Sequence, residues 1–113
     1  MLTKSKLYLL LVLALSIAGL SLTRAHASAP VLANEVIIEN FSYQPATLTV
    51  AAGTKVTWVN HDDEPHTVTE TNKRFNSKAL DNGDRFSKDF TQPGTYNYYC
   101  ALHPKMTGQV IVK

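Results

Sequence analysis

From Glu35 to Val112 the chain never sustains the 3.6-residue spacing of an amphipathic helix, because proline, glycine and Asn-Gly break it into short apolar or alternating runs. That punctuation limits the fold more than anything else in the sequence. Val36-Ile37-Ile38 is a β-branched run, and Phe41-Ser42-Tyr43-Gln44-Pro45 alternates apolar with polar until proline removes a ladder donor. Leu48 and Val50 share one face of the next run, Ala51-Ala52-Gly53-Thr54 turns the chain, and Val56 and Trp58 share a face of the strand that follows. A single Trp in so small a domain is read as core. His61-Asp62-Asp63-Glu64-Pro65 is a polar loop, with His66-Thr67-Val68-Thr69 a short strand leaving it. The irregular stretch from Glu70 to Asp84 contains the turn signal Asn82-Gly83, and Phe75 and Leu80 should tack it to the core. Phe86 and Phe90 then share a face, Pro93-Gly94 turns, Tyr96, Tyr98 and Cys100 fall on one side, and Gly108 to Val112 closes the chain. Seven or eight short strands with turns between them predict an all-β fold, a Greek-key antiparallel β-sandwich.

The first thirty residues belong to a different kind of signal. Lys4 and Lys6 precede an apolar run from Leu7 to Leu20, too short for an ordinary spanning helix, and Ala25-His26-Ala27 is a small-residue cleavage site. Residues 1–27 therefore read as a cleaved signal peptide, with cleavage after Ala29 or retention as an anchor as alternatives. Residues 28–34 are read as a flexible start, and 35–113 form one domain. Of the eleven basic residues, Lys4, Lys6 and Arg24 leave with the signal, so eight face nine acidic ones and the mature net charge is −1. The high isoelectric point of the whole chain thus supports no nucleic-acid or acidic-lipid partner. A domain of this size suits a compact carrier or binding module, and the expected location is the periplasm, without stable membrane insertion.

Cys100 is the chain's one cysteine, so an exported protein here has no internal disulfide. A lone thiol in an oxidising compartment is buried and inert, paired with another chain, or held by metal. Its neighbours favour the last. Cys100-Ala101-Leu102-His103-Pro104-Lys105-Met106 places a thiolate, an imidazole and a thioether within seven residues. These soft and borderline donors select copper, and two His with one Cys and a weak axial Met make the blue-copper electron-transfer arrangement. His66, at the mouth of a strand, is the candidate for the second imidazole. The i, i+3 spacing of the terminal donors is that of a tight loop and not of a helix, because Pro104 disfavours helical geometry at His103.

These elements resemble the cupredoxins, specifically the plastocyanin and amicyanin branch. The likeness rests on Phe41-x-Tyr43-x-Pro45, Gly53-x-x-Val56-x-Trp58-x-Asn60, Pro65-His66-x-Val68, Gly94-Thr95-Tyr96-x-Tyr98-x-Cys100 and Cys100-x-x-His103-Pro104-x-Met106, and spans the whole domain. The short Cys-to-Met loop is more like that of amicyanin. The resemblance implies one type 1 copper held by His66, Cys100, His103 and Met106, with Asn60 and Pro65 in the surrounding shell and Asn60 tying the two ligand loops together. Ala101 departs from the pattern, since a hydroxyl commonly stands there to bond that Asn. Leu102 and Lys105 depart as well, near the expected docking face.

The implied function is a periplasmic one-electron carrier cycling Cu(II) and Cu(I), a monomer serving a redox donor and acceptor such as a dehydrogenase and a c-type cytochrome. A copper-holding or copper-delivery protein is the alternative. An enzyme is not expected, because four protein ligands leave no open position for substrate. Asp62, Asp63 and Glu64 read as a solvated loop that could also steer a basic partner, and His61 as an exposed residue.

Overall fold

The structure is a computed structural model that describes residues 34–113; the expected signal peptide, and all but the last residue of the expected flexible start, lie outside the described residues. Eight strands follow one another as β1 (Glu35–Glu39), β2 (Ser42–Gln44), β3 (Thr47–Val50), β4 (Thr54–Asn60), β5 (Thr69–Glu70), β6 (Arg85–Phe90), β7 (Gly94–Tyr99) and β8 (Thr107–Val112). They build two four-stranded sheets, β2-β1-β4-β6 and β3-β8-β7-β5. The all-β sandwich expected from the punctuation is what forms. Two pairings, β1 with β4 and β3 with β8, nevertheless run parallel. In both cases the chain visits the other sheet between the partners instead of doubling back through a hairpin, and such crossovers permit parallel neighbours.

Alternation decides what the sandwich encloses. Val36 and Ile38 of β1, Val56 and Trp58 of β4, Tyr96 and Tyr98 of β7 and Val110 and Val112 of β8 all face inward and are buried. Trp58 is the hub: its ring lies 5.5 Å from Tyr98, 5.7 Å from Phe86, 6.1 Å from Phe75 and 6.3 Å from Phe90. Burying a side chain of that size, about 200 Å², is worth roughly 5 kcal/mol. Phe75 and Leu80 are buried too, as expected, and anchor the long connection between β5 and β6.

The sequence pattern differs from the structure around His66. The run 66–69 reads as one strand, yet β5 is only Thr69–Glu70, and His66 makes a single antiparallel bridge to Leu80. Its N–H donates to the Leu80 carbonyl at 3.1 Å, and its carbonyl accepts the Leu80 N–H at 2.7 Å. The long connection has folded back to become the partner. Glu70 makes that possible, since its buried carboxylate receives the N–H groups of Asn72 and Arg74 and the Arg74 guanidinium.

Four segments meet at one end of the sandwich: the β1–β2 turn at Asn40-Phe41, the loop after Asn60, His66 with its Leu80 partner, and the Cys100–Met106 loop between β7 and β8. The His61 N–H, 2.8 Å from the Ile38 carbonyl, fastens the second of these to β1.

Candidate metal centre

The terminal loop is built from two successive tight turns. His103 N–H donates to the Cys100 carbonyl at 3.2 Å, Met106 N–H to the His103 carbonyl at 2.9 Å, and Cys100 N–H closes the loop on the Met106 carbonyl at 3.0 Å. Each turn advances three residues, which explains the Cys-x-x-His-x-x-Met spacing. Pro104 occupies the second position of the second turn, where its fixed φ is favoured. Cys100 and Met106 are buried, and His103 is partly exposed.

The tertiary fold brings His66 to this loop from 34 residues away. Its Nδ1 lies 3.7 Å from Cys100 Sγ, and His103 Nδ1 lies 3.6 Å from the same sulfur. All three donor atoms fall within 4.8 Å of one another. Metal bonds of about 2.0 Å to nitrogen and about 2.3 Å to sulfur, at a trigonal angle, would set N and S roughly 3.7 Å apart. The donor spacing therefore fits one shared ion. Met106 lines a hollow of about 450 Å³ with Phe41, His103, Pro104 and Lys105, on the accessible side of this cluster.

The surroundings orient each donor. His66 is fully buried, and its Nε2 is 2.8 Å from Asp62 Oδ2, which holds the proton on Nε2 and leaves the Nδ1 lone pair directed at the sulfur. Partial burial pulls the Asp62 carboxyl upward, but the N–H groups of Phe41 and Asn40 and the His66 ring outweigh it and hold it below its ordinary value. The Cys100 sulfur accepts the Thr67 N–H at 3.3 Å, which fixes its position against the His66 side of the site. Tyr43 donates its hydroxyl to the Thr67 carbonyl, packs edge-on against Tyr98 at 4.7 Å, and has its own pKa pushed well up by burial.

Asn60 ties down only the His66 side of the site and does not reach the sulfur loop. Its Nδ2 donates to the Glu64 and Leu80 carbonyls at 2.9 and 2.8 Å, and its Oδ1 accepts the Asp62 N–H at 3.0 Å. The link across to the sulfur loop is made by Thr67, whose Oγ1 accepts the Ala101 N–H at 2.7 Å and lies 2.9 Å from Thr69 Oγ1. Thr69 in turn reaches Asn76 Oδ1 at 3.5 Å. The missing hydroxyl at position 101 is thus offset by a hydroxyl at 67. Asp62, expected in a solvated loop, is turned inward, while Asp63 and Glu64 remain exposed. His61 is exposed, 3.9 Å from Glu39, and not a donor to the cluster. Pro65 is partly exposed beside His66. Phe41 was not singled out for the site by sequence, yet its ring stands perpendicular to those of both His66 and His103, with centroids 5.0 Å away in each case.

The family profile for cupredoxin-like domains matches residues 9–112. The chain is a cupredoxin. Among its relatives, amicyanin-alpha of Methylorubrum extorquens is 33% identical over 116 residues, covering 91% of this chain and 98% of that protein. Amicyanin of Paracoccus versutus is 36% identical over 95 residues, 79% of this cupredoxin and 71% of the relative. A solved purple cupredoxin from Nitrosopumilus maritimus superimposes with a TM-score of 0.66 at 38% identity, over 70% of this chain and 98% of that one. An oxidised amicyanin variant gives a TM-score of 0.67 at 32% identity, over 70% and 80% of the two chains.

Proposed function

We propose that this cupredoxin is an exported one-electron carrier in which His66, Cys100 and His103 hold a single type 1 copper and Met106 is its axial donor. The observation that carries the reading is the convergence of three donors, two of them buried, within 4.8 Å at the end of a stiff sandwich. Copper, when bound, supplies a Cu(II)/Cu(I) couple. The chain supplies everything that keeps that couple reversible. Backbone hydrogen bonds fix both ligand loops, Asp62 fixes the His66 tautomer, and the Thr67 N–H donates to the buried sulfur. Donors held this way need little reorganisation when an electron arrives or leaves. His103 is the one donor of the three that is partly exposed, so the face around it is the edge for electron exchange, with Leu102 and Phe41 each half exposed beside it. Redox proteins would dock there as donor and acceptor.

The reading includes residues 1–27 as a signal peptide, a periplasmic location and the absence of catalysis, since a filled donor set leaves no position for substrate. Copper is also the metal of an amicyanin variant it resembles, solved in its Cu(I) form. The test is to add Cu(II) to the purified domain and record the intense blue sulfur-to-copper band, its loss in Cys100→Ser, and a reversible one-electron wave. Copper binding without the band refutes a type 1 site. A band with rapid surrender of copper and no stable couple assigns the chain to delivery instead.

A further inference from the structure

The turn joining β1 to β2 carries two consecutive residues with positive φ, Asn40 at 53° and Phe41 at 56°. A two-residue hairpin of this twist favours Asn-Gly, and a large aromatic in the glycine position is an outlier. Strained backbone of this kind persists where the surroundings enforce it, and it concentrates at functional sites. Here the enforcing group is visible. Asp62 accepts the Asn40 N–H on Oδ1 at 2.7 Å and the Phe41 N–H on Oδ2 at 2.9 Å, and Oδ2 is also the partner of His66 Nε2 at 2.8 Å. One carboxylate therefore fixes both the left-handed turn and the ring of a candidate metal donor. What the turn presents is Phe41, 50% exposed to solvent yet perpendicular to the imidazoles of His66 and His103 at 5.0 Å each, at interplanar angles of 87° and 89°.

We infer that Phe41 is a positioning residue of the metal centre, a brace pinned by Asp62 that holds the two imidazoles in their mutual orientation and retains the ion between them. This rests on the copper reading above but adds a residue and a role to it. A residue kept only for an apolar surface would not need a left-handed backbone or perpendicular contacts to both rings. Leucine or methionine in relaxed backbone would serve equally well.

The decisive variants are Phe41→Gly, Phe41→Leu and Phe41→Tyr. Glycine suits a positive φ, so the metal-free Phe41→Gly domain should melt at or above the temperature of the parent. The copper-loaded form should nevertheless lose metal to a Cu(I) chelator about ten-fold faster, since two perpendicular aromatic contacts are gone. Phe41→Leu should also release copper faster and alter the electron paramagnetic resonance signature, whereas Phe41→Tyr, which keeps the ring edge, should stay within about two-fold of the parent. Wild-type release rates and spectra in both Phe41→Gly and Phe41→Leu would overturn the brace. A metal-free readout separates this from the copper reading: nuclear Overhauser contacts from the Phe41 ring to both imidazoles, and faster amide exchange at Asn40 and Phe41 in Asp62→Ala. If the parent shows no blue band, the proposed function falls while these contacts still decide the brace, and their absence refutes it.

Discussion

Replacing Thr67 by valine isolates the bond that ties the two ligand loops. Valine is close to threonine in shape, so the change removes a hydroxyl with little change in packing volume. The Ala101 N–H loses its acceptor at 2.7 Å, and Thr69 Oγ1 loses its neighbour at 2.9 Å. Each bond is worth about 1 kcal/mol net, but Ala101 is exposed and water recovers part of the first. The expected loss is therefore about 1.5 kcal/mol. A domain of this length moves by roughly 4–8 °C per kcal/mol, so the metal-free melting temperature should fall by about 6–12 °C. Thr67→Ser keeps the hydroxyl and should recover most of that. The bond to the sulfur comes from the backbone N–H of residue 67 and survives the substitution, so copper-loaded Thr67→Val should keep its blue band while Ala101 shows faster amide exchange. A melting temperature within about 2 °C of the parent would show that Thr67 is not the tie.

Two further perturbations probe the scaffold beneath the site. The Arg74 guanidinium, despite opposing burial and helped by the N–H groups of Arg74 and Asn72, holds the Glu70 carboxyl below its ordinary value of 4.5. Its stabilisation is accordingly present above about pH 4.5 and lost as pH falls through the folded value, so Glu70→Gln should cost roughly 1.5–3 kcal/mol at pH 7 and flatten the acid limb of a urea-stability profile. Equal acid slopes in the two proteins would remove Glu70 from the account. In Gly108→Ala the new methyl would sit 2.5 Å from Tyr98 Oη and 2.6 Å from its Cζ, against a ring already wedged between Trp58 and Tyr43. Overpacking of about 1–3 kcal/mol is expected in urea unfolding, and an unchanged midpoint would mean the ring has room that the structure denies it.

Tyr98 shows how polar groups are handled in this core. The indole N–H of Trp58 lies near enough to act on the Tyr98 oxygen, yet neither atom has a well-formed hydrogen bond, and burial pushes the phenol up to about 12. The ring's value is therefore steric. It covers Gly108 across the β7–β8 pair, two residues before Cys100.

Sequence alone was sufficient for whatever depends on neighbours in the chain. Alternation in β1, β4, β7 and β8 specifies inward faces because successive strand side chains point to opposite sides, and Pro104 specifies a tight loop and not a helix over Cys100–Met106 because it disfavours helical geometry at His103. His66 was identifiable as a donor candidate from its place after a strand, but its single bridge to Leu80 was not, since the long connection offers no periodicity from which a partner could be chosen. Tertiary structure alone assigned the cross-loop tie to Thr67 instead of Asn60, turned Asp62 inward onto His66, and stood Phe41 against both imidazoles. The Thr67–Ala101 tie joins residues 34 positions apart and Asp62 meets His66 only four positions on, yet each of these contacts exists only once strand register and sheet order are set. A hydroxyl or carboxylate a few ångströms from a metal donor looks the same in sequence as one facing water, because which of the two it is depends on the direction of a side chain that only the packed fold determines.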